Sequence, residues 1–268
     1  MTVFPRDTSF TAWSTYVKVK KIHPYIQLVE PTLLQGVTAY ENIVYAVLPD
    51  TPYGRRELNV DIYRKNDGQK YPALLMIHGG GWNSGDRTLQ RPMAQQIAGY
   101  GYVTIPVEYR LHPEAIYPAA LYDLKAAVRW VRENAERYGI DTTQIAISGC
   151  SAGGHLAILV GMTNASERHE VKDLYGNHSS RVQAVINMDG CSTFISTRNI
   201  AETKDNIRKL GGKLPLNALW LGGSYDDKKD IWEEASPIVW VSDYSAPICF
   251  INGQLERYCD GRDDLIKN

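Results

Sequence analysis

Apolar and polar positions along the chain first mark out short alternating runs and then settle into a repeating order of strand and helix. Residues 43–48 (IVYAVL), 57–64 (ELNVDIYR) and 71–80 (YPALLMIHGG) are β-rich and separated by Gly, Asp and Pro, the punctuation of turns. Next, TLQRPMAQQIAGYG carries apolar residues at helical spacing and ends in glycine, and YVTIPVEYRL is strand-like. AALYDLKAAVRWVRENAERYG is a long amphipathic helix with Leu121, Leu124, Ala127, Val128 and Val131 on one face. QIAISG, SAGGHLAILVGM and VQAVINMDG then follow as strand, helix and strand. Strand followed by helix, repeated, predicts an α/β fold: a mostly parallel sheet with helices on both faces.

Two segments depart from this rhythm. Residues 1–40 mix aromatic and polar side chains with the Pro breaks IHPYI and VEPTL, and read as an N-terminal extension packed on the core of a domain spanning 41–268. Residues 190–237 form a long polar excursion, expected as a cap-like insertion, because a connection of that length between strands is more often functional than idle. APICFING (246–253) is the next strand, and GRDDLIKN opens a helix.

Composition narrows the partners. With 268 residues, 44% of them hydrophobic, the chain can bury a sizeable core. A net charge of -1, with lysine and arginine spread along the sequence, offers nothing to nucleic acid or an anionic membrane surface, so a small molecule or a neutral polymer is expected. No run approaches the ~20 apolar residues of a membrane span, and the N-terminus lacks the apolar stretch of a signal peptide. The chain therefore reads as soluble. Cys150, Cys191, Cys249 and Cys259 show neither CxxC spacing nor histidines at zinc-finger distances, so they are expected as buried thiols, with no metal and no cofactor.

The chemistry concentrates in two glycine-rich stretches. Gly149-Cys150-Ser151-Ala152-Gly153 joins a strand directly to a helix, the setting in which small neighbours let the chain turn sharply and project a serine hydroxyl above the sheet. The helix N-terminus then aims free N–H groups at the reacting centre. The second stretch, MIHGGGWNSGD (76–86), follows the third strand, where backbone N–H groups can face a developing alkoxide. Gly80, Gly81 and Ala152 are the expected donors, and His78 is expected to brace the loop. Trp82, beside that loop, is the candidate substrate wall, since polar-tipped aromatics suit sugar faces.

HGGGW, VEYRL, YPAALYDLKAAVRWVRENAERYGID and GCSAGGHLA together resemble the serine esterases of the α/β-hydrolase fold, in the branch of hormone-sensitive lipase and the bacterial carbohydrate esterases. The resemblance covers roughly residues 55–256. It implies ester hydrolysis through an acyl-enzyme on small acyl esters or acylated carbohydrate, and an exported or periplasmic enzyme whose leader is absent from this chain. Tyr109, Arg110, Pro118 and Asp123 match the family too and are read as bracing.

The remaining triad members should follow in the order acid, then histidine. NGQLE stands where the family has an HGxxD turn, which places Glu256 in the acid position, with Asp260 and Asp263 as substitutes and Asp189 as a weaker candidate. All six histidines precede that acid. His155, four residues past Ser151, lies ~6 Å down the helix axis and is expected as a packed residue under the sheet edge, while His169 and His178 are expected at the surface. The resemblance puts the base on a further strand and helix, so the sequence as given is expected to lack it and to leave a sheet edge open to self-association.

Overall fold

The computed structural model describes residue 5, residues 7–253 and residues 260–267. A short helix, α1 (Ala12–Lys20), precedes the hairpin of β1 (Val37–Thr51) and β2 (Gly54–Lys65), and β3 (Tyr71–Ile77), α2 (Arg91–Ala98) and β4 (Val103–Val107) follow. Then come α3 (Ala119–Glu133), α4 (Ala135–Tyr138), β5 (Ile140–Cys150), α5 (Ala152–Met162) and β6 (Ala184–Met188). The cap residues hold α6 (Thr197–Lys209), α7 (Leu216–Trp220) and α8 (Lys229–Glu234), and β7 (Ile248–Ile251) and α9 (Arg262–Lys267) complete the order. Among the described residues no helix is long and apolar enough to cross a membrane.

The strands form one seven-stranded sheet in the order β1-β2-β4-β3-β5-β6-β7. Two residues connect β1 to β2, so these strands can only run antiparallel; β2 also meets β4 antiparallel, and every pairing from β4 to β7 is parallel. The sheet is thus mostly parallel, as the strand–helix rhythm predicts, with an antiparallel hairpin on one side. This is the α/β-hydrolase architecture.

Two apolar layers cover the sheet. Leu75, Ile77, Ile105 and Ile147 pack on one face against α3 and α5; Tyr63, Leu74 and Met76 pack on the other against Ala94 and Ala98 of α2. All five residues predicted on the apolar face of α3 are buried. The predicted helix breaks at Asn134 and ends where Gly139 takes a left-handed φ of 60°. α5 is buried along its whole length, which is why its sequence is apolar all round rather than striped.

The N-terminal expectation needs correction. β1 begins at Val37, inside the segment read as an extension, and of residues 7–36 little packs on the core: α1 buries no residue, whereas Leu34 contacts the second apolar layer. The thiols need correction as well. Cys150 and Cys249 are exposed, the first because it ends β5 at the rim of the sheet, the second because it points outward from β7, the last strand of the described sheet.

Candidate active site

Ser151 joins β5 to α5 with φ 54° and ψ -121°, a region that costs a non-glycine residue of order 1–3 kcal/mol. The surroundings enforce it. The Ser151 N–H donates to the Met188 carbonyl at 2.8 Å, and the Ser151 carbonyl accepts from His155 N–H at 3.0 Å as the first turn of α5 closes. Glycines are required on both sides, because a Cβ at Gly149 would collide with the Gly153 carbonyl and one at Gly153 with the carbonyls of Ile77 and His78. The turn is therefore pressed against the end of β3.

That contact brings the second glycine stretch to the serine. A Cβ at Gly79 would come within 2.8 Å of the Cys150 carbonyl and 3.3 Å of Ser151 Cβ. Gly80, at φ 130°, closes a tight turn in which its carbonyl accepts from Asn83 N–H at 3.2 Å and from Ser84 N–H and hydroxyl at 3.0 Å. Among the described residues no backbone acceptor takes the N–H of Gly80 or Gly81. The Ala152 N–H belongs to the first turn of α5, whose donors have no intrahelical acceptor. His78 braces this loop: it is fully buried, stacks on Tyr109 at 4.5 Å, and bonds through Nδ1 to the Gly79 carbonyl at 2.8 Å. Tyr109 in turn donates to the His78 carbonyl at 2.8 Å, and Arg110 pairs with Asp123 at 2.7 Å.

Ser151, Ala152 and Gly81 open onto a cavity of ≈ 490 Å³. Trp82, Phe194 and Leu216 give it an apolar wall, and the cap supplies Asn199, Glu202, Asn206 and Asn217. Sequence reasoning missed these four. Their signal was the spacing of Asn199, Glu202 and Asn206 at three and four residues, which puts them on one face of α6 beside the narrow stripe of Ile200, Thr203 and Ile207.

Trp82 lines this cavity and is held from behind. Its ring stacks on Trp220 at 5.2 Å, and its Nε1–H donates to His155 Nδ1 at 3.2 Å. His155 Nε2–H donates to the Ala235 carbonyl at 2.7 Å, which fixes the neutral tautomer. Burial lowers the His155 pKa to about 4, against the opposing bond to Ala235. His155 is thus packed, as expected, but behind the aromatic wall of the cavity rather than under the sheet edge.

Other histidines are remote. His169 is fully buried rather than at the surface, since Ser166, Glu234 and Trp240 close around it; His178 is half-exposed and pairs with Glu133 at 2.6 Å. None of the six lines the cavity. Glu256 lies outside the described residues. Asp260 accepts from the Ser196 hydroxyl, and Asp263 pairs with Arg262 at 2.9 Å on the surface; neither lines the cavity. Asp189 does, with φ 54° and with Oδ1 accepting from Gly253 N–H at 2.7 Å.

A serine on a strained turn between a parallel strand and a buried helix, beside a glycine loop with N–H groups free of backbone partners, is the strand–turn–helix arrangement of the α/β-hydrolase class. Within that class the chain belongs to the BD-FAE family, matched over residues 60–260. It is 29% identical over 197 residues to Esterase LipC of Mycobacterium tuberculosis, covering 72% of this chain and 47% of that one. To the Probable carboxylic ester hydrolase LipM of the same organism it is 33% identical over 218 residues, covering 78% and 48%. The chain spans about half the length of the curated relatives it matches. Among solved structures, a truncated form of carbohydrate esterase from gut microbiota is similar at a TM-score of 0.68 and 26% identity, covering 90% of this chain and 86% of that one. Esterase B from Lactobacillus rhamnosis shares the fold at a TM-score of 0.68 and 22% identity, covering 96% and 76%.

Proposed function

We propose that the chain acts on carboxylic esters through a covalent acyl-serine, with acetyl groups on carbohydrate as the favoured substrate class. The observation that carries this reading is Ser151, a strained residue at the head of a buried helix, opening onto a cavity shared with Gly81 and Ala152. In the reaction Ser151 Oγ bonds to the acyl carbon and gives its proton to a base, and the carbonyl oxygen becomes an oxyanion. The N–H groups of Gly80, Gly81 and Ala152 would each stabilise that charge by about 3 kcal/mol. The bond to the alcohol breaks, the alcohol leaves with the proton, and water releases the acyl group and restores the serine. Glu256 is the carboxylate assigned from the sequence to orient the base. The carbohydrate part draws support from the amide wall of the cap and from the carbohydrate esterase among the similar structures.

No histidine of the chain lines the cavity, and this favours a second reading, an ester-binding protein without turnover. One experiment separates the two. A fluorophosphonate should label Ser151, faster when imidazole is added in place of the base, and should leave Ser151→Ala protein unlabelled. Hydrolysis of p-nitrophenyl acetate should likewise depend on Ser151 in the presence of imidazole. Absence of label, with equal rates in the two proteins, defeats the hydrolase reading.

A further inference from the structure

The cap builds a wall whose chemistry the acyl transfer itself does not use. α6 turns Asn199, Glu202, Thr203 and Asn206 toward the cavity, and α7 adds Asn217. Asn199 spends one amide N–H on the Thr193 carbonyl at 2.6 Å, and Asn217 spends one on the Thr203 hydroxyl at 2.9 Å. Each amide is thereby fixed while its carbonyl oxygen and second N–H stay available for a ligand. Two carboxylates, Glu202 on α6 and Asp189 at the end of β6, line the same cavity, and among the described residues no lysine, arginine or histidine does. Asp260, held by the Ser196 hydroxyl at the head of α6, adds a third negative charge at the flank.

Two arginines pair with carboxylates around the cavity. Arg198 meets Glu202 across an exposed pair at 3.0 Å, and Arg262 pairs with Asp263 and reaches Asn252. Neither lines the cavity, so the charge felt inside it is screened only in part.

We infer that this wall selects by charge. It accepts an ester whose alcohol portion is neutral and hydroxyl-bearing, with O–H groups donating to the carboxylates and amide oxygens, and it turns away one whose alcohol portion carries a carboxylate. The substrates rest on the ester reading, but the preference is a property of binding and can be measured apart from turnover.

A monoacetylated methyl glucoside and the matching methyl glucuronoside differ only at C6, where a hydroxymethyl group stands against a carboxylate, and the salt dependence separates the charge from the lost hydroxyl. On Ser151→Ala protein at low ionic strength the glucoside should bind about tenfold more tightly, and the ratio should fall toward one in high salt. Adding Glu202→Gln should reduce the ratio to about threefold. Asp205→Asn removes the same charge from α6 at a site outside the cavity, where Asp205 pairs with Lys209 at 2.6 Å, and should leave the ratio unchanged. Equal binding of the two sugars, no binding of either, or an equal drop in both variants overturns the inference. Hydrolysis of both sugars by the wild type at equal rates removes the charge selection and keeps the ester reading. Selective binding with no Ser151-dependent hydrolysis keeps the selection and removes the ester reading.

Discussion

His155 gives the structure a pH dependence that can be isolated. The imidazole is fully buried among Trp82, Phe194 and Trp220, and it is held neutral, with Nε2–H on the Ala235 carbonyl and Nδ1 accepting from Trp82. Burial moves its pKa from the ordinary 6.5 to about 4 in the folded chain. A folded value below the unfolded one means that the unfolded chain takes up the proton first as the solution is acidified. The contribution of His155 is therefore complete above pH 6.5 and is lost as pH falls toward 4. At about 1.4 kcal/mol for each pH unit, the loss by pH 4 is about 3 kcal/mol.

His155→Gln keeps an amide N–H for Ala235 and cannot titrate. Urea unfolding of both proteins at pH 7, 6, 5 and 4 should show the wild type losing about 3 kcal/mol more than the variant across that range. Taking the difference cancels other acid-sensitive groups, including His169, whose pKa burial also lowers. Protonation of the folded imidazole removes the acceptor of Trp82, so the aromatic circular dichroism of the wall should hold steady from pH 7 to 5 and change near pH 4, in the wild type alone. Parallel stability curves for the two proteins would refute the assignment of a buried neutral imidazole.

Two further outcomes test the frame around the site. Glu170 is the carboxylate shared by Lys125 at 2.9 Å and Arg129 at 3.0 Å, both almost wholly buried, so Glu170→Gln should destabilise the fold by about 3 kcal/mol in chemical denaturation. Gly153→Ala forces a Cβ into the carbonyls of Ile77 and His78; it should cost about 3 kcal/mol and move Ser151, read as a lower midpoint of unfolding and slower labelling by a fluorophosphonate.

Local signals made the centre of the site legible in the sequence. Ser151 could be placed because glycine spacing and the switch from strand to helix coincide within five residues, and the loop at 78–81 because three glycines follow a strand. What was misread depends on contacts between distant segments. His169 looks like a surface residue until Glu234 and Trp240 fold over it. His155 could be placed on its helix, but its partners, Trp82 and Ala235, come from 73 and 80 residues away. Asp189 ranked low because its value as a cavity residue comes from the positive φ that turns it at the end of β6. The amide wall escaped notice because the stripe of Ile200, Thr203 and Ile207 marks which face of α6 packs inward but says nothing of which polar residues beside it meet a cavity, and that depends on where the helix docks.

Thr203 is the one buried residue of α6. The helix that presents three of the amide and carboxylate side chains to the cavity therefore carries almost none of the core, while Ser151 is locked between backbone atoms on every side. Specificity and reactivity are thus written on parts of the chain with very different tolerance for change. The exposed positions 202 and 206 can be varied at little cost in stability, which makes this face the place where selection, natural or in the laboratory, can redirect the protein to a new ester without rebuilding its chemistry.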